Sequence, residues 1–532
     1  MEIRFYNHPQ TQQKITYIMQ VELTNKEKSI LFWGSFLALM AAGMAFTYRA
    51  LSLSQWGEKF NLSGAELGGI VLGSYFWPIA VTMILFSLVV DAIGYKPSMI
   101  ICILLHAASV VMSFMADSVE MIKWSAIMAG FAHGIIEAVI NPVCAAVYNK
   151  EKTKWLNILH AAWPAGLMVC AIIMFFTTGL DYKANAIWYA IPIVIYAVML
   201  LMSKFPVDER VAAKVPYKDS LKDVGFLSSS IAAFLLVHAL YGVFNPGKQL
   251  DIYLALGIGV AIGAVFGLIT KSWGKIMYFI LCLLMIPLAT TELGTDGWIQ
   301  PMMQSSMGKY AGLALALSAG IMMILRFQAG IFTKRFTAPV ILTVSSFFSM
   351  TGLILLSQVN GASLIILAFV IYAVGQTFYW PTVLGFASEQ FPKGGAMSLN
   401  TVSAIGLLSV GIIGAPIIGA FQDNHAQKNV KEVSTEIYES SKKEAVMFNF
   451  SYEALDGAKA TAMAKDLGLE EEVATAQSLS GKQALFTTAL AFPLVMGICY
   501  FLIAIWYKSR GGYKPIELTE STKEEDPEET SS

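Results

Sequence analysis

The sequence predicts an all-α polytopic membrane protein of about fourteen spans, and three observations carry that prediction. Apolar residues make up 56% of the chain and charged residues only 14%, against about 45–50% and about 25% in a soluble domain. Many apolar runs reach the roughly 20 residues that a helix needs to cross a ~30 Å hydrocarbon core. Lysine and arginine are partitioned: with the N-terminus in the cytoplasm, 22 fall on the inner side and five in the short outer loops. Both termini are then cytoplasmic and the span count is even. A net charge of −1 without basic blocks gives no sign of nucleic-acid binding.

Residues 1–28 form a cytoplasmic N-terminal segment without a signal-peptide apolar region or cleavage site. Residues 29–204 hold six spans, at about 29–53, 64–90, 97–116, 121–148, 154–178 and 186–204. Residues 205–274 are a polar, basic linker followed by two additional spans, about 226–244 and 251–270, separated at Asn245-Pro246-Gly247. Residues 275–507 hold six more, at about 275–300, 309–332, 338–358, 361–389, 396–421 and 483–507. An Ala-, Glu- and Lys-rich stretch, 422–482, interrupts this second set on the outer side. It reads either as two or three short amphipathic helices capping the outer face or as an unstructured insertion. Residues 508–532 are a cytoplasmic tail, acidic and polar after Gly511 and expected to be disordered. Cys102, Cys144, Cys170, Cys282 and Cys499 all lie in apolar runs without metal-ligand spacing and read as small buried hydrophobes.

A weak internal repeat links the two sets of six. The cytoplasmic junction Ser87-Leu88-Val89-Val90-Asp91-Ala92-Ile93-Gly94-Tyr95-Lys96-Pro97 has a counterpart at Arg326-Phe327-Gln328-Ala329-Gly330-Ile331-Phe332-Thr333-Lys334-Arg335-Phe336. The loop DAIGYKP resembles the G-x-x-x-D-x-x-G-x-[RK] motif of the major facilitator superfamily, with Ser87 replacing the first glycine. That resemblance implies two six-helix bundles with substrate held between them at mid-membrane, here with the two additional helices inserted between the bundles. It also assigns Asp91, Gly94, Lys96, Arg326, Gly330 and Arg335 to a conformational motif at the cytoplasmic helix ends. Within the superfamily, GIIEAVINPVCAAV and LNILHAAWPAG are similar to the fourth and fifth helices of the fucose/glucose/galactose–proton symporters. LRFQAGIFTKRF and FYWPTVLGFASEQFPKGGA fit their eighth and tenth helices. The first span departs from that family, since it has no acid and carries Arg49.

Residues 130–166 concentrate the chemistry. His133, Glu137 and Asn141 recur every four residues and share one helix face, and Asn157 and His160 share another. An acid inside a membrane helix costs about 2.5–3.5 kcal/mol or more, and chains that keep one use it for ions, protons or substrate. Glu137 is therefore the candidate for proton coupling, with a carboxyl that only ties helices together as the alternative. His133 and His160 read either as proton relays or cavity groups or as helix-contact histidines, and Asn141 and Asn157 as solute-binding or structural amides. Glu292 and Asp296 are expected to line an outer vestibule with Trp298 and Gln300. Arg49 is expected to pair with Glu137, Glu292 or Asp296, to clamp an anionic solute, or to snorkel to the interface. Gln376, Tyr379 and Trp380 supply the amide and aromatic groups of a sugar site, with Trp33, Tyr75, Trp77 and Trp163 as further aromatic walls.

The sequence has no G-x-x-x-x-G-K-[ST] loop and no HExxH or GxSxG in a suitable setting, so neither an ATPase nor another enzyme is expected. The expectation is a secondary symporter of a sugar or sugar-like solute in the plasma (cytoplasmic) membrane. It needs no cofactor or metal and uses a proton gradient. Its expected partners are a small-molecule substrate and the lipid bilayer, and it is expected to be a monomer. The competing expectations are an organic-anion carrier clamping its solute through Arg49 and a receptor that binds without transporting.

Overall fold

The computed structural model describes residues 23–518, except 61–73, 178, 208–210, 212, 214, 246–247, 249, 296–310 and 448. The first bundle contains α1 (Asn25–Leu51), α2 (Ser74–Ile93), α3 (Tyr95–Met115), α4 (Val119–Val147), α5 (Lys152–Phe176) and α6 (Tyr182–Met202). The additional pair is α7 (Gly225–Phe244) and α8 (Ile252–Thr270). The second bundle contains α9 (Ile276–Gly294), α10 (Ala311–Phe327), α11 (Ala338–Gln358), α12 (Ser363–Gln390), α13 (Pro392–Val433) and α14 (Glu470–Ser509). Among the described residues, twelve of these helices are long and apolar enough to cross a bilayer. The other two, α2 and α10, carry the shorter apolar stretches Ser74–Val90 and Ala316–Phe327, and each begins beside undescribed residues.

Local chemistry sets the helix starts. Thr24 and Glu27 form a reciprocal capping box at α1, and Ser118 and Asp251 accept amides at the starts of α4 and α8. Between the bundles, α2 packs on α13 and α5 on α10, so the second helix of each half packs on the fifth of the other. Gly134 makes the α2–α4 contact possible: a Cβ there would lie 2.5 Å from the Ile79 carbonyl. That close approach brings Tyr75 of α2 up to His133.

α7 and α8 pack chiefly on each other, and α7 leans on α2, α9 and α13. Their ends are tied by backbone bonds from Phe226 N to Ser272 O at 3.0 Å and from Lys275 N to Asp223 O at 3.0 Å. Many large apolar side chains of α8, including Tyr253, Leu256, Val260, Val265 and Leu268, are exposed and face outward from the bundle.

The stretch 422–482 differs from a set of short capping helices. α13 and α14 run on through it, as helices of 42 and 40 residues, each about 60 Å long. Between them lie the helix Thr435–Ser441, an antiparallel hairpin of β1 (Lys442–Met447) and β2 (Phe450–Leu455), and the helix Gly457–Leu467. Val430, Ile437, Leu455, Ala460 and Val473 give it a small core of its own. Asn449, at φ 67° in the hairpin turn, accepts the Ile252 amide at 3.2 Å and contacts Asp251, so the hairpin tip rests on the start of α8.

The tail is also ordered for longer than its composition predicts. Gly511 and Gly512 adopt φ of 92° and 96°, which reverse the chain after α14. Tyr513 then packs on Phe386 and Tyr507, and Ile516 N donates to the Glu389 carbonyl at 2.8 Å. Burial of one aromatic ring and pairing of these backbone groups outweigh the polar composition as far as residue 518.

Candidate functional site

The chemistry-bearing residues of α4 and α5 meet in one buried cluster between the halves. Glu137 and His133 are 6% and 5% exposed, and Asn141 is fully buried. Asn141 Nδ2 donates to Glu137 Oε2 at 2.8 Å. His133 Nε2 lies 3.6 Å from Glu137 Oε1, and His160 Nε2 lies 4.0 Å from Oε2. His160 Nε2 also faces Asn141 Oδ1 at 2.9 Å. On the far side, His133 Nδ1 meets the Tyr75 hydroxyl at 3.1 Å, and its ring stacks on Trp163 with centroids 5.0 Å apart. One carboxylate thus has two imidazoles within 4.0 Å, and no other described acid shares its site. Such a carboxylate can pass a proton to or from an imidazole without crossing apolar space.

A second cluster faces it from the other half, and here the structure corrects two expectations. Arg326 is not a cytoplasmic clamp. It is 2% exposed, and its Nη2 donates to Glu292 Oε1 at 2.9 Å. Glu292 does not line an outer vestibule. It sits in a π turn, Thr290–Gly294, 5% exposed, with Oε2 accepting the Trp380 amide at 3.2 Å. The wider π turn displaces the side chain from the regular helix face and turns it inward. Asp296, Trp298 and Gln300 lie outside the described residues.

Arg49 departs from the snorkelling expectation and from pairing with Glu137 or Glu292, and Asp296 lies outside the described residues. Arg49 is 1% exposed and therefore does not snorkel. No described acid pairs with it. Its guanidinium donates to Ala45 O at 2.7 Å, Ser109 Oγ at 2.7 Å and Ser125 Oγ at 2.9 Å, beside the rings of Tyr48, Tyr75 and Tyr189. Tyr75 stands between it and the Glu137 cluster. The reason is local: α1, α3 and α4 offer enough hydroxyl and carbonyl oxygens to satisfy a guanidinium without a carboxylate.

The sugar-site candidates divide. Gln376 is fully buried, its Nε2 lies 3.8 Å from Met322 Sδ, and its Oε1 accepts no described hydrogen bond. Trp380 reaches the site through its amide on Glu292. Tyr379 turns away: its hydroxyl donates to Ser345 O at 3.4 Å inside the second half. Asn157 crosses the interface, with Nδ2 near Thr382 Oγ1 at 3.3 Å and Oδ1 unpartnered among the described groups. Trp33 is 43% exposed.

The residues of the conformational motif are partly visible. Gly94 starts α3 at φ 89°, Lys96 donates to Ser203 O at 3.4 Å, Gly330 packs beside Lys154, and Arg335 is exposed. The Asp91 side chain lies outside what is described.

Sequence reasoning missed two residues that bridge the halves. Asn400 Nδ2 donates to the Ala138 carbonyl at 3.3 Å. Glu389 Oε1 accepts from Thr153 Oγ1 at 2.5 Å and Thr153 N at 3.3 Å, while Oε2 accepts the Tyr513 hydroxyl at 2.7 Å. Gly385 lets α12 approach that closely, since a Cβ there would meet Thr153 at 2.3 Å. Asn400 is the one amide in its apolar run, and that was the available signal.

The sequence matches the family model described as Major Facilitator Superfamily over residues 31–416. No curated protein sequence matches it at a significant level. Among solved structures, it is similar to the E. coli proton:xylose symporter XylE, with TM-score 0.61, 13% identity, and coverage of 94% of this chain and 100% of that one. It is similar to the E. coli fucose:proton symporter FucP in the outward conformation, with TM-score 0.53, 10% identity, and coverage of 88% and 99%. It is also similar to the human organic anion transporter MFSD10, with TM-score 0.55, 11% identity, and coverage of 89% and 99%.

Proposed function

Because the chain belongs to the major facilitator superfamily, we propose that it is a proton-coupled symporter of a neutral, polyhydroxylated solute such as a sugar. It works by alternating access in the plasma membrane with both termini in the cytoplasm. The observation that carries this reading is Glu137, buried between the halves and flanked by His133 and His160. It exchanges the coupling proton, while the imidazoles and Asn141 hold its carboxylate in place.

The polar atoms facing the interface favour a solute rich in hydroxyl donors. Asn157 Oδ1, Gln376 Oε1 and Asn400 Oδ1 are buried acceptors without a described donor. A buried acceptor left unpaired costs about 1–3 kcal/mol, so a solute O–H that reaches one adds affinity and selectivity. The charge balance disfavours an anionic solute. Arg326 is neutralised by Glu292 and Arg49 is satisfied inside the first half, which leaves Glu137 as the uncompensated charge among the described residues of the site. XylE and FucP, as described, carry sugars with protons, whereas MFSD10 carries organic anions.

Proteoliposomes containing the full chain test the proposal. D-Xylose, L-fucose, D-glucuronate and uridine are offered with and without an inside-alkaline gradient. A neutral sugar is expected to accumulate only with the gradient, and Glu137→Gln is expected to keep sugar exchange but lose accumulation. Accumulation above the outside concentration without the gradient, or undiminished accumulation by Glu137→Gln, contradicts proton symport. Uptake of glucuronate alone favours the anion reading.

A further inference from the structure

Three prolines near the interface each leave one carbonyl without its helical donor. Proline lacks the amide that would bond the carbonyl four residues earlier. Pro142 frees Ala138, Pro164 frees His160 and Pro381 frees Thr377. In each case a side chain replaces the missing amide. Asn400 serves Ala138. Arg326 serves the other two, with Nη1 donating to His160 O at 2.9 Å and Nε to Thr377 O at 2.6 Å. One guanidinium therefore joins a freed carbonyl of the first half to a freed carbonyl of the second, with Glu292 as its counter-ion.

His160 is held at both ends. Its carbonyl is on Arg326, and its imidazole faces Asn141 and Glu137. It is the last residue of the helix Lys152–His160, and Ala161 separates it from Ala162–Phe176. At such a break the side chain's position follows whatever fixes the backbone.

We propose that Arg326 is a positioning residue that couples closure of the two halves to the proton affinity of Glu137, acting through the His160 carbonyl. The proposal rests on the reading of Glu137 as the proton carrier. When α5 and α10 separate, the bond to His160 breaks, while those to Thr377 and Glu292 stay within the second half. The His160 imidazole is then no longer held at its distance from Glu137. The other charged or titratable groups around Glu137 do not cross the interface. His133 is on the same helix, Tyr75 on α2 faces His133, Arg49 on α1 lies beyond Tyr75, and His106 on α3 bonds Tyr196 at 2.8 Å. α13 has no titratable residue between Lys393 and Asp423. Among the described groups facing Glu137, His160 is the one tethered from the opposite half.

The test needs no solute. The purified full chain is titrated by infrared spectroscopy, and the Glu137 carboxyl band is assigned by its loss in Glu137→Gln. Pro164→Ala restores an amide that competes with Arg326 for the His160 carbonyl and leaves every charge in place. Glu292→Gln/Arg326→Gln removes the tether without leaving a buried charge unpaired. Both variants are expected to move the band's midpoint by about one pH unit. A band present in the wild type and unmoved in Pro164→Ala overturns the coupling while leaving Glu137 as the carrier. A wild-type spectrum with no band that depends on Glu137 overturns both. If the double variant does not fold, Pro164→Ala decides.

Discussion

Arg49 and Arg326 are buried to nearly the same degree, 1% and 2% exposed, yet their surroundings have little in common. Arg49 sits among serine hydroxyls, carbonyls and tyrosine rings, all within the first half. Arg326 holds a carboxylate and two carbonyls, one of them across the interface. The contrast separates two uses of a costly residue. A guanidinium whose partners all belong to one rigid bundle keeps them throughout a rocking motion and contributes to stability. One whose partners span both bundles must exchange some of them in every cycle.

The largest expected effect breaks the Arg326 side. Arg326→Gln leaves Glu292 buried and uncompensated, and should destabilise the protein by about 3–5 kcal/mol. Adding Glu292→Gln should recover most of that loss in thermal unfolding. If the double variant is no more stable than the single one, the ion pair is not what Arg326 supports. Arg49→Met comes next. It removes the charged hydrogen bonds that tie α1 to Ser109 and Ser125, while those hydroxyls keep each other as partners, and should cost about 1–3 kcal/mol. Its unfolding midpoint should fall while the pH profile of transport stays as in the wild type. A shifted profile would erase the distinction between the two arginines.

A third contact grades the comparison. Glu389 crosses to Thr153 as Arg326 crosses to His160, and Tyr513 holds it from the folded-back tail. Tyr513→Phe removes one bond to a carboxylate, worth about 1.5–3 kcal/mol. It should expose Ala146→Cys to a membrane-impermeant thiol reagent, added on the side of the tail, several-fold faster, and an unchanged rate would detach the tail from gating. The smallest effect lies in the stretch 422–482. Asp456 caps the helix Gly457–Leu467, and its bond from the Lys459 amide holds its carboxyl below the ordinary value of 3.8. A carboxyl depressed on folding stabilises above its ordinary value and loses that contribution as pH falls through the folded one. Asp456→Asn keeps a good cap without a titrating group. Hydrogen exchange over 457–467 should therefore lose protection below ~pH 4 in the wild type but not in the variant.

The helical class and the α4–α5 cluster were legible because each rests on a short-range rule. Apolar run length marks the spans, and the four-residue spacing of His133, Glu137 and Asn141 marks the face. The arginines were not legible, because their roles depend on partners that are distant in sequence. Arg326 stands near the end of an apolar run and looks like a loop cation until α9 and α12 bring Glu292 and Thr377 to it. Glu292 was read as a vestibule group because a π turn leaves no clear trace in residue spacing. Pro142, Pro164 and Pro381 each free a carbonyl four residues back, at Ala138, His160 and Thr377. Only the fold could supply the donors. The hairpin within 422–482 was hidden by helix-forming composition, and its one local signal was Asn449 at the turn.

Sugar-driven proton movement tests the central claim most directly. Proteoliposomes loaded with a pH-sensitive dye are given L-fucose or D-xylose outside, without an imposed gradient. Lumen acidification that follows sugar entry and disappears in Glu137→Gln is the expected result. Sugar entry with no change in lumen pH would contradict the account.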